Sequence, residues 1–252
     1  MTESNDRAAL REAGARLAKE FGLPVPSGAP GLEAFALEAG FGSLLADPAL
    51  PPADRMVAVL SALAQKDRQA AIAAHIRPAV KAGLDAREIR EIFVQCGLYG
   101  GLPMAAHALN TLNAQLGYPA REEEDTRDLA ALEADGRATM HKLHGERAET
   151  GYAAPGNAGS AGLYRIAILY GYGAIWHRPG LSHRRRMIVA LASMAVLGLH
   201  DTLAKFAASA RAMGLAPAEI AAAIAQTAPY AGFPPALNAL GRLADVLAEP
   251  DG

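Results

Sequence analysis

His75 carries an imidazole, a group that near neutral pH can take up or deliver a proton at a carbon where electron density collects. A helix histidine can equally be a satisfied structural residue, so the side chain alone leaves both readings open. Arg55 and Arg186 each stand in the first turn of an expected helix, where a cation opposes the macrodipole. A residue set against local preference twice invites a role, such as holding a substrate carboxylate or an intersubunit salt bridge. A surface guanidinium is the plainer alternative, and in the run His183-Arg-Arg-Arg186 a solvated face accounts for most of the charge. Cys96 is the only cysteine and lies on an otherwise apolar helix, which favours a buried inert thiol over a reactive one and keeps it as a pocket-lining candidate. Tyr99 and Tyr230, each followed by glycine and proline, mark a helix kink beside a pocket. Trp176, the only tryptophan, is either an aromatic wall for a flat ligand or interhelical packing.

Other combinations carry less. His141 and His144 stand three apart on a polar helix with no further ligand grouped near them, so no metal is expected. Gly171-Tyr-Gly173 lies inside an apolar helical run without a preceding strand and is no phosphate loop. A lone cysteine excludes an intrachain disulfide and a C-x-x-C pair.

Positioning these groups falls to helices. The chain is 51% hydrophobic but only 6% aromatic, so its apolar content is largely Ala and Leu, the strongest helix formers. No stretch shows sustained β-branched alternation, and the expected fold class is all-α. A net charge of −2 and a pI near 6.4 give no field for nucleic acid or an anionic membrane. The first residues lack a signal-peptide pattern and no run approaches the roughly 18 apolar residues of a span, so a cytoplasmic protein is expected.

The chain is a tandem duplication. Gly83-Leu, Glu88-Ile, Gln95, Tyr99, Gly101, Pro103 and Ala108-Leu recur as Gly214-Leu, Glu219-Ile, Gln226, Tyr230, Gly232, Pro234 and Ala239-Leu, 131 residues later. The correspondence runs back through Arg55/Arg186, Pro48/Pro179, Gly42/Gly173 and Pro24/Pro155. Two domains are expected, 1–118 and 126–252, joined by an acidic linker around Pro119. Helices are expected over 6–21, 32–45, 54 to 75 or beyond, 86–99 and 104–116, with Gly83 as a stop and Asp85/Glu88 as a capping box. His75 faces Phe206 in the second copy, so the two halves cannot hold equivalent sites.

Taken as a set, Tyr172-Gly-Ala-Ile-Trp176-His-Arg-Pro-Gly180-Leu, Arg186-Met-Ile-Val-Ala-Leu-Ala192 and the Gly214-to-Leu240 motif resemble the carboxymuconolactone decarboxylase family. His75-Ile-Arg77, Gly83-Leu and Gln95-Cys-Gly-Leu-Tyr99-Gly-Gly-Leu-Pro103 carry the same signature in the first copy. The resemblance implies two alkylhydroperoxidase-like helical domains and a homo-oligomer, here a trimer of two-domain chains. It also implies one of two activities, decarboxylation of a small carboxylated lactone without a cofactor, or peroxide reduction by a C-x-x-C pair followed by His. The peroxidase cycle lacks its thiols, since Ala71 and the segment 199–202 stand where they belong. The decarboxylases carry a carboxylate one turn before the His, and here that position is again Ala71, or Thr202 in the second copy. His75 is then the expected acid–base, with Arg55 or Arg186 on the substrate carboxylate and Cys96, Tyr99 and Trp176 lining the pocket. A degenerate ligand-binding or scaffold protein is the alternative outside enzymology.

Overall fold

The computed structural model describes residues 6–117, 125–145 and 159–248, and among them every regular element is a helix. The first repeat holds α1 (Arg7–Phe21), α2 (Pro30–Ala34), the π-helix π1 (Phe35–Leu45), α3 (Pro52–Gln65), α4 (Gln69–Lys81), α5 (Ala86–Gly100) and α6 (Leu102–Leu116). The second holds α7 (Leu129–His144), α8 (Ala161–Ile166), π2 (Ala167–Trp176), α9 (His183–Leu197), α10 (His200–Ala212), α11 (Pro217–Ala225), α12 (Ala228–Ala231), α13 (Phe233–Arg242) and α14 (Ala244–Ala248). The fold is all-α with two tandem units. The acidic linker over 118–124 and the first half of the Pro155-to-Gly162 loop, 155–158, lie outside the described residues.

Local chemistry sets the helix ends. Gly83 takes φ +105° after α4, and the Asp85 carboxylate accepts from Glu88 N at 2.8 Å while Glu88 accepts from Asp85 N at 3.2 Å. Ala216 replaces Asp85 in the second repeat, and only the Glu219 half of that exchange survives there, at 2.8 Å.

The expected helix from 54 through 75 is in fact two. Arg68 N donates to Leu63 O and Asp67 N to Ala64 O, a left-handed stop with Asp67 at φ +50°. Asp67 is the only non-glycine at positive φ among the described residues, and aspartate tolerates that region better than most side chains. The stretch expected as an Ala-rich α-helix over 32–45 is mostly π-helical, as is its counterpart. Both π-helices are crossed closely by the first helix of their repeat. A Cβ on Gly14 would lie 1.9 Å from Leu37 O and one on Gly42 2.1 Å from Leu10 O; Gly136 and Gly173 would meet Ile168 O and Leu132 O at 2.3 and 2.1 Å. Only glycine allows this approach.

Helices α3 and α9 correspond to each other and pack together at the centre, where Val57, Val59, Leu60, Ile188, Leu191 and Ala192 are fully buried. One continuous apolar core runs through both repeats. Conserved spacing between the copies serves this junction: Gln95 of the first repeat donates to Arg186 O at 3.0 Å, and Gln226 of the second donates to Leu44 O at 2.6 Å. The basic run in the first turn of α9, expected as a solvated face, is an ion-pair network instead. Arg184 bridges Glu219 (2.5 Å) and Asp54 (3.4 Å), while Arg185 bridges Asp54 (2.9 Å) and Glu88. Asp54, Glu88 and the arginines come from different repeats, so charge pairing draws the halves together.

Candidate active site

Helix α4 presents His75 inward, 4% exposed, because Ile72, Ile76 and Ala79 on adjacent faces are buried in the core. Its Nδ1 lies 2.7 Å from the Ala71 carbonyl oxygen. A carbonyl only accepts, so Nδ1 carries the hydrogen and Nε2 keeps its lone pair. That lone pair is buried and has no hydrogen-bond partner among the described residues. Burial also pushes the imidazole pKa below its ordinary value, outweighing the opposing Ala71 hydrogen bond, so the ring is neutral at pH 7. A buried acceptor without a donor is costly to leave unmade and points to a ligand group.

Beside the imidazole is a cavity of about 370 Å³. The Pro24-Val-Pro26 segment, Phe35 and Phe41 of π1, and Ala71 and Ala74 of α4 wall it on one side. Pro229 and Tyr230 of the second repeat close the other, with the tyrosine ring standing edge-on to His75 at 5.2 Å and 88°. Pro229 replaces Leu98 of the first copy, and a proline there breaks what is one continuous helix in α5 into α11 and α12. The break carries Pro229 and Tyr230 to the cavity wall. The site in the first repeat is thus completed by the second.

The remaining expected site residues do not gather around this cavity. The Arg55 guanidinium donates to Leu45 O and Leu50 O, both at 2.7 Å, and so ties the end of π1 to the start of α3. Arg186 is fully buried, donating to Glu91 at 2.8 Å, Gln95 Oε1 at 2.9 Å and Arg178 O at 2.9 Å. Burial pulls its pKa below the ordinary arginine value, with Glu91 opposing. Cys96 is fully buried, its sulfur 3.8 Å from Ser193 Oγ, and burial pushes the thiol up to about 11. A thiol so placed is protonated and shielded. Tyr99 lies in the other half's site, opposite the position of Tyr230, and its hydroxyl is buried.

In the second repeat aromatic rings surround the corresponding position. Phe206, the counterpart of His75, packs 4.9 Å from His144 and 6.2 Å from Trp176, and Trp176 stacks on Tyr172 at 6.3 Å. His144 Nε2 lies 2.9 Å from Tyr172 Oη, and Nδ1 2.7 Å from Ser209 Oγ. His144 therefore belongs to a partly buried hydrogen-bond chain, and no cluster of three metal-ligating side chains exists among the described residues. Sequence spacing does not reveal this role, since the helix carrying it is displaced in register: Gly14 pairs with Gly136, 122 residues on, whereas Gly42 pairs with Gly173, 131 on.

The profile described as the Carboxymuconolactone decarboxylase family matches residues 30–114 and again residues 161–245, together more than half of the chain. The chain belongs to the carboxymuconolactone decarboxylase family. Its two family units bracket the whole of α2 through α5 and α8 through α12, so the His75 cavity is built from both units of the family fold. No curated relative matches the chain. Among the described residues of this family member no helix is long and apolar enough to cross a membrane.

Proposed function

We propose that this protein is a cofactor-free decarboxylase, or a related lyase or isomerase, in which His75 moves the proton for a small carboxylated lactone or similar enolisable acid. The observation that carries this reading is the buried, unpartnered Nε2 of His75 at the wall of an apolar cavity. Family membership supports it. In the forward direction Nε2 accepts the proton of the substrate's carboxyl group as the bond to that carboxyl breaks. CO₂ departs, and the electron pair passes into the conjugated carbonyl system of the ring. The imidazolium then returns the proton to the ring carbon, so that a carboxylic acid becomes the hydrogen-bearing product plus CO₂. Tyr230 and the apolar walls exclude water from the short-lived enolate, which strengthens each polar contact inside.

The peroxidase alternative finds no support in the thiol. Cys96 has no second cysteine to resolve it and is held as a buried thiol by the surrounding core.

The test is CO₂ release from 4-carboxymuconolactone by the purified chain. His75→Asn retains an N–H donor for Ala71 O while removing the titrating nitrogen, and is expected to lower kcat at least about 100-fold. Turnover unaffected by that change removes His75 from the mechanism. Stabilisation by the lactone without turnover would favour the non-catalytic ligand-binding alternative.

A further inference from the structure

The His75 cavity holds no cation, although the proposed substrate carries a carboxylate. None of the thirteen residues of its wall is basic apart from the neutral imidazole itself. A shallower, more open hollow of about 530 Å³ adjoins it, sharing Ala71, Pro229 and Tyr230 and adding Leu63, Asp67, Arg68, Gln69 and Ala70. Arg68 is exposed on its rim, at the N-cap of α4, and among the described residues no ion pair or hydrogen bond engages its guanidinium. The neighbouring Asp67 is occupied otherwise: its carboxylate accepts from Gln69 Nε2 at 2.5 Å and faces His107 Nδ1 at 3.4 Å.

Arg68 stands at the N-cap just before α4 and His75 seven residues on, a rise of about 10 Å along the axis. Ala71 stands between them, one turn from each, and is the smallest side chain that still keeps the helix. A larger residue there would fill the space common to both cavities. The left-handed stop at Asp67 ends α3 and starts α4 at the point that puts Arg68 at this rim.

We infer that the two cavities are halves of one bipartite cleft, in which Arg68 anchors the carboxylate end of the ligand while its apolar body lies against the lone pair of His75. The inference rests on the proposed reading of the His75 cavity and adds to it the group that selects an anionic ligand. A guanidinium forks onto a carboxylate with two parallel hydrogen bonds, and the positive end of α4 adds to the attraction. The ligand class is a small carboxylated molecule in which the anchored carboxylate stands a ring's width or more from the reacting carbon and is distinct from any carboxyl group lost there.

Calorimetric titration with phenylacetate, and with neutral phenylacetamide of the same shape, tests this. Wild type is expected to bind the acid, and Arg68→Gln to weaken it about tenfold while leaving the amide unchanged. Raising NaCl to about 0.5 M should weaken only the acid. Ala71→Leu should weaken both probes by closing the passage, with an unchanged thermal melt showing that the fold is intact. An unaltered acid-to-amide ratio in Arg68→Gln overturns the anchor, and so does a failure of wild type to bind phenylacetate at millimolar concentration. Undiminished turnover and KM for 4-carboxymuconolactone in Arg68→Gln would sink the anchor and leave His75 standing. Selective loss of acid binding without any lactone turnover would leave the anchor standing and sink the decarboxylase reading.

Discussion

His75 owes its chemistry to what surrounds it more than to what it is. The Ala71 carbonyl fixes the tautomer, burial keeps the ring neutral, and the cavity leaves the other nitrogen open. The pH dependence has a definite sign. The folded pKa is lowered, so the unfolded chain binds the extra proton first, and the stability contributed by the neutral ring is full above about pH 6.5 and declines as pH falls below it. Activity that requires the free Nε2 follows the same direction: kcat/KM is expected to be level through pH 7 to 8 and to fall on an acid limb whose midpoint lies below 6.5. A midpoint above that value would show the imidazole to be stabilised as a cation. The residue's type and its difference from Phe206 are legible in the sequence, as is the burial of Cys96 on its apolar helix. The commitment of Arg55 to two carbonyls and the tautomer of His75 are not, because both depend on backbone atoms that no spacing rule places.

The helices themselves follow from local signals wherever those signals are strong. The Asp85/Glu88 box and the Gly83 stop are read directly, and α5 ends one residue beyond its expected boundary. The α3–α4 break is harder to see, since its left-handed residue is an aspartate rather than a glycine. The π-helices are invisible to a 3.6-residue pattern. Their close crossing with α1 and α7 gives an element-scale prediction: Gly42→Ala, which sets a methyl 2.1 Å from the Leu10 carbonyl oxygen, should cost about 3 kcal/mol or more. Gly31→Ala, with nothing within 4 Å of the added carbon, should change stability by no more than about 0.5 kcal/mol. Chemical denaturation of the two variants separates them, and equal midpoints would mean that the crossing relaxes without strain. Since Phe35 and Phe41 of π1 wall the cavity, the glycine variant should also weaken ligand binding.

At the scale of the whole molecule the repeated glutamines and tyrosines matter less within their own repeat than across the junction. Gln95 and Gln226 each reach the opposite half, and Tyr230 roofs the cavity that His75 lines. Duplication is visible in the sequence; this exchange is not, because matching spacing says nothing about which copy a side chain touches. Buried charge makes the junction strong. Glu91, 1% exposed on α5, pairs with both Arg178 and Arg186 of the second repeat, at 2.9 and 2.8 Å. Glu91→Ala leaves a buried guanidinium without its counter-charge and should cost about 3 to 5 kcal/mol. With one shared core, calorimetry should show a single transition lowered by roughly 10 °C. Two separated transitions would show that the halves melt independently.

The crossed tyrosines also bear on how such a chain can diverge. If two identical single-repeat subunits met in this way, any substitution would appear twice, and replacing the histidine by phenylalanine would erase both sites at one stroke. Joining the copies in one polypeptide removes that constraint. One half is then free to carry Phe206, packed against Trp176 and His144, in place of the histidine while still lending Tyr230 to the other, so the half without the histidine persists as a wall of its neighbour's site.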